Sequence, residues 1–173
     1  MAEKIVKWLL GCFSGLLGLS FGKELVVFLI ALMPILELRG ALIAAALLDV
    51  DPVVSYIIAI IGNIIPVPFI LWFIESILDW MSKVKIKWMN KLAKWVKKKA
   101  DKHKHQIETY GFWGLVFFVG IPLPGTGAWT GCLIAALLGM DKKKAFLAAM
   151  IGIFMASIIM MILSFGVIKG ITG

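Results

Sequence analysis

The sequence predicts an all-α integral membrane protein, a single membrane domain of 173 residues. Its predicted architecture is an inverted repeat, each copy a re-entrant helical hairpin plus a transmembrane helix. Three observations carry this. Hydrophobic residues make up 61 % of the chain, charged residues 16 %, and the mean hydropathy is +0.99, whereas a soluble domain carries roughly 25 % charged residues. Two apolar runs are interrupted by helix-breaking stretches, "PILELRG" (34–40) and "IPLPGTGAWTG" (121–131). The order broken run, Asp-containing turn, continuous span occurs twice.

Residues 1–23 hold the first apolar stretch, about 5–22, which is short and glycine-rich. Lys7 and Trp8 near its start suit an interfacial helix or a short span. A signal peptide is not expected, because no small-residue cleavage site precedes a polar domain. Repeat 1 covers 24–79: a broken run (25–48), the turn Asp49-Val50-Asp51, and a span (53–74) marked by Asn63, Pro66 and Pro68. Glu75 and Asp79 fall where that span meets lysines, with Lys83 or its neighbours as interfacial partners. Residues 80–109 follow as a basic segment. In "WMSKVKIKWMNKLAKWVKK" (80–98), Met81, Val84, Trp88, Leu92 and Trp95 or Val96 recur at helical spacing with lysines between them. Such an amphipathic helix lies in the interface and is drawn to anionic lipid. Repeat 2 covers 110–169: a broken run (111–140) and an uninterrupted span (145–168).

The repeat is visible in the letters. "LIAAALLDVDP" (42–52) matches "LIAALLGMDKK" (133–143), and "IIGN" (60–63) matches "MIGI" (150–153), at an offset of about ninety residues. The arms flanking the breaks are short: nine and eight residues in the first run (25–33, 41–48), eleven and nine in the second (111–121, 132–140). At about 1.5 Å per residue, each arm covers about half of a ~30 Å hydrocarbon core. That length suits a hairpin that enters, turns near the midplane and leaves on the same side.

Charge separates this reading from its rival, a kinked helix that crosses fully. The net charge is +8, and ten of the eighteen basic residues lie between Lys83 and Lys104, with Lys142, Lys143 and Lys144 beyond. Re-entrant runs put both clusters on one face, as the positive-inside rule favours. The chain is then a multi-pass protein of the cell membrane with loop 81–109 cytoplasmic. One crossing between the copies inverts the second against the first, and the hairpin tips meet near the midplane. Inverted repeats with broken helices are a transporter architecture, and irregular backbone at that depth lines a cavity or is buried in protein.

Glu37 and Arg39 are the leading candidates for the site. Arg39 is the only arginine in the chain, placed at a hairpin tip where a charge costs at least about 2.5–3.5 kcal/mol. A planar fork suits a phosphate or carboxylate. The second arms are expected to begin near the midplane, after Gly40 and after Gly131, and their helix N-termini add positive potential there. Thr126 and Thr130 offer hydroxyls and Trp129 a flat wall with one donor. Asn63 is a further candidate. With Pro124 and Gly125 of the same loop, these are the expected substrate-binding residues, for an anionic amphiphile. A carboxylate at membrane depth can also take up a proton, which would couple Glu37 to a proton gradient. The alternative is structural: Glu37 and Arg39 neutralise each other and cap the broken helix ends.

Other classes are not expected. The basic charge sits beside apolar spans, so nucleic-acid binding is not expected. Cys12 and Cys132 form no ligand set, and no cofactor or metal is expected. His103 and His105 lie among lysines and read as solvated. No nucleophile–base pair, zinc motif or P-loop is present, so neither an enzyme nor an ATP-driven pump is expected. The partners expected are the bilayer, anionic lipid at the basic helix, the substrate itself, and a second copy in a homodimer.

"PILELRGA" (34–41) and "IPLPGTGAWTGCLIAALLG" (121–139), with the repeat order around them, resemble the small multidrug export family of prokaryotic membrane proteins. The resemblance runs from about residue 25. That family is in turn similar to the DedA/VTT superfamily of lipid translocases and scramblases, which share inverted re-entrant hairpins with a membrane-embedded acid and arginines. The resemblance implies that Glu37 stands for the acid of the first hairpin. The DedA pattern also carries arginines in its second hairpin, and here that loop has none. The function expected is a small secondary transporter or translocase moving an anionic amphiphile or lipid, with proton coupling. The alternatives are an exporter of small drug-like compounds and a non-transporting membrane scaffold.

Overall fold

The computed structural model describes residues 11, 15, 16, 18–83, 98, 111–123 and 125–168. Every element among them is helical: α1 (Gly22–Leu32), α2 (Glu37–Leu47), α3 (Pro52–Ile64), α4 (Pro66–Lys83), α5 (Gly111–Gly120), α6 (Ala128–Leu137) and α7 (Lys142–Met161). A π-helical turn, Ile162–Ile168, follows α7. Most of the stretch 5–22 and of the basic helix beyond Lys83, with His103, His105, Cys12 and Pro124, lies outside the described residues.

Among the described residues, two stretches are long and apolar enough to cross a bilayer, Pro52–Ile74 and Lys142–Gly166. At 23 residues the first is about 35 Å long, against a hydrocarbon core of about 30 Å. Both expose rows of large apolar side chains, and α7 buries mainly small ones. On α7, Ala145, Ala148, Ala149, Gly152 and Ala156 are buried, while Leu147, Ile151, Phe154 and Ile158, and Ile162 just beyond, are exposed every third or fourth residue. On α3–α4 the exposed row is Val54, Ile57, Ile61, Ile65, Phe69, Phe73, Ile77 and Trp80. Large apolar rows facing outward, with small residues at the helix contacts, are what lipid demands of a surface. Composition, spans and packing together make this a membrane protein.

The runs predicted within the described residues are present, with shifted ends. The span 53–74 is interrupted at Ile65, because Pro66 has no N–H to continue the ladder and Pro68 follows it. α4 then runs on to Lys83, past the boundary expected at residue 80. The span 145–168 changes to π geometry after Met161, a change with no signal in the letters.

The two halves share one local design. α2 ends with Val50 N–H donating to Ala45 O (3.0 Å) and Asp49 N–H to Ala46 O (3.4 Å). α6 ends with Met140 N–H donating to Ala135 O (3.0 Å) and Gly139 N–H to Ala136 O (2.9 Å). Both are Schellman ends, with Asp49 (φ 56°) and Gly139 (φ 67°) in the left-handed position. Asp51 caps α3 by accepting from Val53 N–H and Val54 N–H, and Asp141 caps α7 by accepting from Lys144 N–H. Gly62 lets α3 approach Phe28 and Ala31 of α1, as Gly152 lets α7 approach Val116 and Val119 of α5.

Helix contacts cross between the halves. α1 and α2 pack on each other and on α3, whereas α6 packs on α4 and α7. α2 also touches α7 and the π-helical turn. Tyr56 on α3 and Ser157 on α7 share a hydrogen bond of 3.0 Å between the two long stretches.

Two predictions follow from these contacts. A Cβ at Gly152 would stand 2.7 Å from Val119 Cβ and 2.8 Å from the Val116 carbonyl oxygen. Gly152→Ala is therefore expected to cost about 1–3 kcal/mol, read as a lower melting temperature in detergent, while Gly18→Ala, with open space around it, is silent. At the α6 end, Gly139→Val is expected to cost about 1–2 kcal/mol. Gly139→Asp should cost less, because Asp49 already holds that conformation.

Candidate functional site

The second break, residues 121–127, leaves α5 with unpaired carbonyls at its C-terminus and α6 with unpaired N–H groups at its N-terminus. Inside a bilayer no water satisfies them. The first half of the chain does. Glu37, only 5 % exposed, accepts from Ala128 N–H through Oε2 (3.0 Å) and from Trp129 N–H through Oε1 (3.0 Å). Arg39 sits at the other end of the gap. Its guanidinium donates to Leu123 O, to Ile121 O (3.2 Å), to Val119 O (3.5 Å) and to Thr126 Oγ1 (3.0 Å).

Each charge stands at the helix pole of opposite sign: the carboxylate at the positive start of α6, the guanidinium at the negative end of α5. Spacing explains how one short segment does both. Residues i and i+2 of a helix do not face the same way, so the first turn of α2 sends its two charges to two different helix ends. Glu37 begins α2 with φ 52°, a left-handed conformation rare for a residue with a Cβ.

The loop is built to receive them. Thr126 Oγ1 donates toward Leu123 O (2.9 Å) and Ile121 O (3.1 Å) while accepting from Arg39, closing the turn 121–126 on itself. Gly127 has φ 132°, and a Cβ there would run into the Glu37 carboxylate. Gly125, with φ 87°, has open space where its Cβ would be.

Glu37, Arg39, Thr126 and the backbone of Trp129 are thus brought together. Gly125 lies in the same loop, and Thr130 is buried in the first turn of α6. The Trp129 indole N–H is buried without a hydrogen-bond partner among the described residues, as are Asn63 Oδ1 on α3 and Ser164 Oγ in the π-helical turn. Asn63 is inside the bundle, yet that oxygen has no bond to the tips. One expectation is corrected: the second arms do not begin after Gly40 and Gly131. They begin at Glu37 and Ala128, with Gly40 N–H already bonded to Leu36 O and Gly131 N–H to Gly127 O. Those glycines serve close approach instead, Gly131 against Val119, Leu115 and Phe118. The fork of Arg39, expected to face a ligand, is engaged with backbone carbonyls. Gly127 was missed; its signal is a glycine just before a helix start that must admit a carboxylate.

Arg39 is only half-buried, and Ile35, Ile121 and Leu123 beside the junction are exposed. Among the described residues no group of three or more His, Cys, Asp or Glu could hold a metal ion.

The family model for small multi-drug export proteins matches residues 37–159, beginning at Glu37 and covering both tips. No curated protein and no solved structure matches the chain.

The two tip glycines give a direct comparison. Gly127→Ala is expected to cost several kcal/mol, because it displaces the carboxylate from both N–H groups. Gly125→Ala should cost only the backbone strain of about 1–2 kcal/mol. Melting temperatures of the two variants in detergent check the difference; equal losses would contradict the packing of Glu37 against Gly127.

Proposed function

We propose, from the premise that this chain belongs to the small multi-drug export protein family, that it is a small secondary transporter whose substrate passes at the junction of its two broken-helix tips. The family description names export, which is consistent with a transporter in general.

The finer reading is that each broken run is a re-entrant hairpin and that the two enter from opposite faces. Packing supports it. The first pair, α1–α2, lies against α3, and its arm α2 touches the π-helical end of the second crossing. The second pair's arm α6 lies against α4, the other half of the first crossing. In antiparallel crossings those are opposite halves of the bilayer, so the tips meet between them, where Glu37 and Arg39 bond to residues 119–129.

The observation that carries the function is that these contacts are ones an anion can exchange. Arg39 donates to neutral carbonyls, and a phosphate or carboxylate is a stronger acceptor than a carbonyl. Ala128 N–H and Trp129 N–H already hold a carboxylate. An incoming anionic headgroup competes for both, and taking either one loosens the tips. Exposed Ile35, Ile121 and Leu123 border the junction, so it opens toward hydrocarbon and admits an amphiphile sideways. Protonation of Glu37 removes one of its acceptor sites and releases the same contact, which gives coupling to a proton gradient.

One observation favours a second reading, a non-transporting scaffold: Glu37 and Arg39 cap the two helix ends of the second break, a structural role that is complete in itself. Transport separates the two. The pure protein is reconstituted in liposomes, and access of a fluorescent polyprenyl phosphate or phospholipid to an external quencher is followed with and without a pH gradient. Wild type should accelerate that access. Thr126→Val, which removes one bond from Arg39 at about 1 kcal/mol and should stay folded, is expected to slow it. Equal rates for protein-free, wild-type and Thr126→Val liposomes would leave the scaffold.

A further inference from the structure

The end of α5 holds Arg39 with more oxygens than a helix cap needs. The nitrogen Nη2 carries two hydrogens, yet three oxygens accept from it: Thr126 Oγ1 (3.0 Å), Ile121 O (3.2 Å) and Val119 O (3.5 Å). Leu123 O accepts from Nη1. These oxygens are also close to one another. Thr126 Oγ1 lies 2.9 Å from Leu123 O and 3.1 Å from Ile121 O, and a hydroxyl has one proton to share between them. Oxygens crowded about one positive charge make a cage for a cation.

The cage keeps its shape through the loop's own bonds. Leu123 N–H donates to Ile121 O (2.8 Å) and Thr126 N–H to Leu123 O (3.2 Å), while Val119 O belongs to the last turn of α5. All four oxygens are neutral. Glu37 adds no charge to the cage itself, because its carboxylate is engaged at the other end of the break with Ala128 N–H and Trp129 N–H. Calcium and magnesium are held through carboxylates. A neutral set at the negative pole of a helix suits a single positive charge instead. Carbonyl oxygens can replace the hydration shell of an alkali ion, and unwound carbonyls at half-helix ends do so in membrane transporters.

We propose that Val119 O, Ile121 O, Leu123 O and Thr126 Oγ1 form a site for an alkali metal cation, which the Arg39 guanidinium fills as a tethered cation until an anion draws it away. Oxygens stripped of a partner inside a bilayer are costly. An anion that takes Arg39 therefore brings an alkali ion onto the cage, and one positive charge replaces another. Anion and cation bind together, and a cation gradient drives the anion. That last step rests on the reading of the tips as a transport path; the site itself does not. It acts at the end of α5, separately from a proton on Glu37 at the start of α6.

The test uses the full chain in a non-ionic detergent. Melting is followed in sodium, potassium or choline chloride at equal ionic strength. Arg39→Ala removes the tethered cation, so sodium or potassium should raise its melting temperature over choline by about 4 °C or more at about 300 mM. Wild type, whose cage is filled, should melt alike in all three salts. Adding Thr126→Val to Arg39→Ala takes away one oxygen and should shrink the rise. A second measurement uses wild type with dodecyl phosphate, which should bind at least about fivefold more tightly in sodium or potassium than in choline. Equal melting of Arg39→Ala in the three salts overturns the proposal. A rise in Arg39→Ala without any binding of dodecyl phosphate keeps the cation site and removes support from the transport reading alone. Recovery of folded Arg39→Ala only in sodium or potassium supports the site. Where no salt yields it folded, the wild-type measurement decides, and equal behaviour of dodecyl phosphate in the three salts overturns the proposal.

Discussion

A helix broken inside a bilayer leaves N–H and C=O groups that nothing but protein can satisfy, and that constraint organises this chain. The first break, residues 33–36, is short and settles part of its own account: Met33 N–H bonds to Ile30 O, Glu37 N–H to Met33 O, and Pro34 has no N–H to satisfy. The second is seven residues long and does not close by itself. Its two ends are held from the first half by Glu37 and Arg39, a carboxylate on the start of α6 and a guanidinium on the end of α5. The halves are therefore not independent repeats placed side by side. The second depends on charges supplied by the first.

The same arrangement accounts for otherwise costly features. A half-buried arginine and a buried glutamate in a membrane protein need partners of opposite polarity, and helix poles serve. The left-handed Glu37 aims its carboxylate across the tips, and Gly127 leaves room for it. Around this polar junction the packing is apolar and close: glycines at 62 and 152 bring each long helix against its neighbouring short arm, and alanines fill the buried face of α7. A polar contact that holds two tips together while bordering the lipid-facing surface is also one that a charged amphiphile can open, which joins stability to the proposed transport.

Much of this was legible in the letters. Pro34, Pro122, Gly125 and Gly127 announce breaks, and the half-length arms follow from counting. The pairing of "LIAAALLDVDP" with "LIAALLGMDKK" foretold a shared local design, and both Schellman ends and both Asp caps fall within it. Arg39 stood out as the lone arginine. What could not be read was direction. A side chain's partner across eighty or ninety residues is a tertiary fact, so the carbonyls of Val119, Ile121 and Leu123 leave no mark in the sequence. The helix starts were misjudged for a related reason: Gly40 and Gly131 look like breakers, but each sits inside a first turn where its missing Cβ admits a neighbour. The π-helical turn after Met161 has no compositional signature.

The central claim is that Glu37 holds the start of α6, and amide hydrogen exchange reads that contact directly. The exchange of peptides covering residues 126–131 would be compared in wild type and Glu37→Gln, with peptides from α7 as the internal standard. Faster exchange is expected at Ala128 and Trp129 in Glu37→Gln, by about tenfold for a loss of about 1.4 kcal/mol of protection, while α7 is unchanged. Identical exchange at those two amides in both proteins would contradict it.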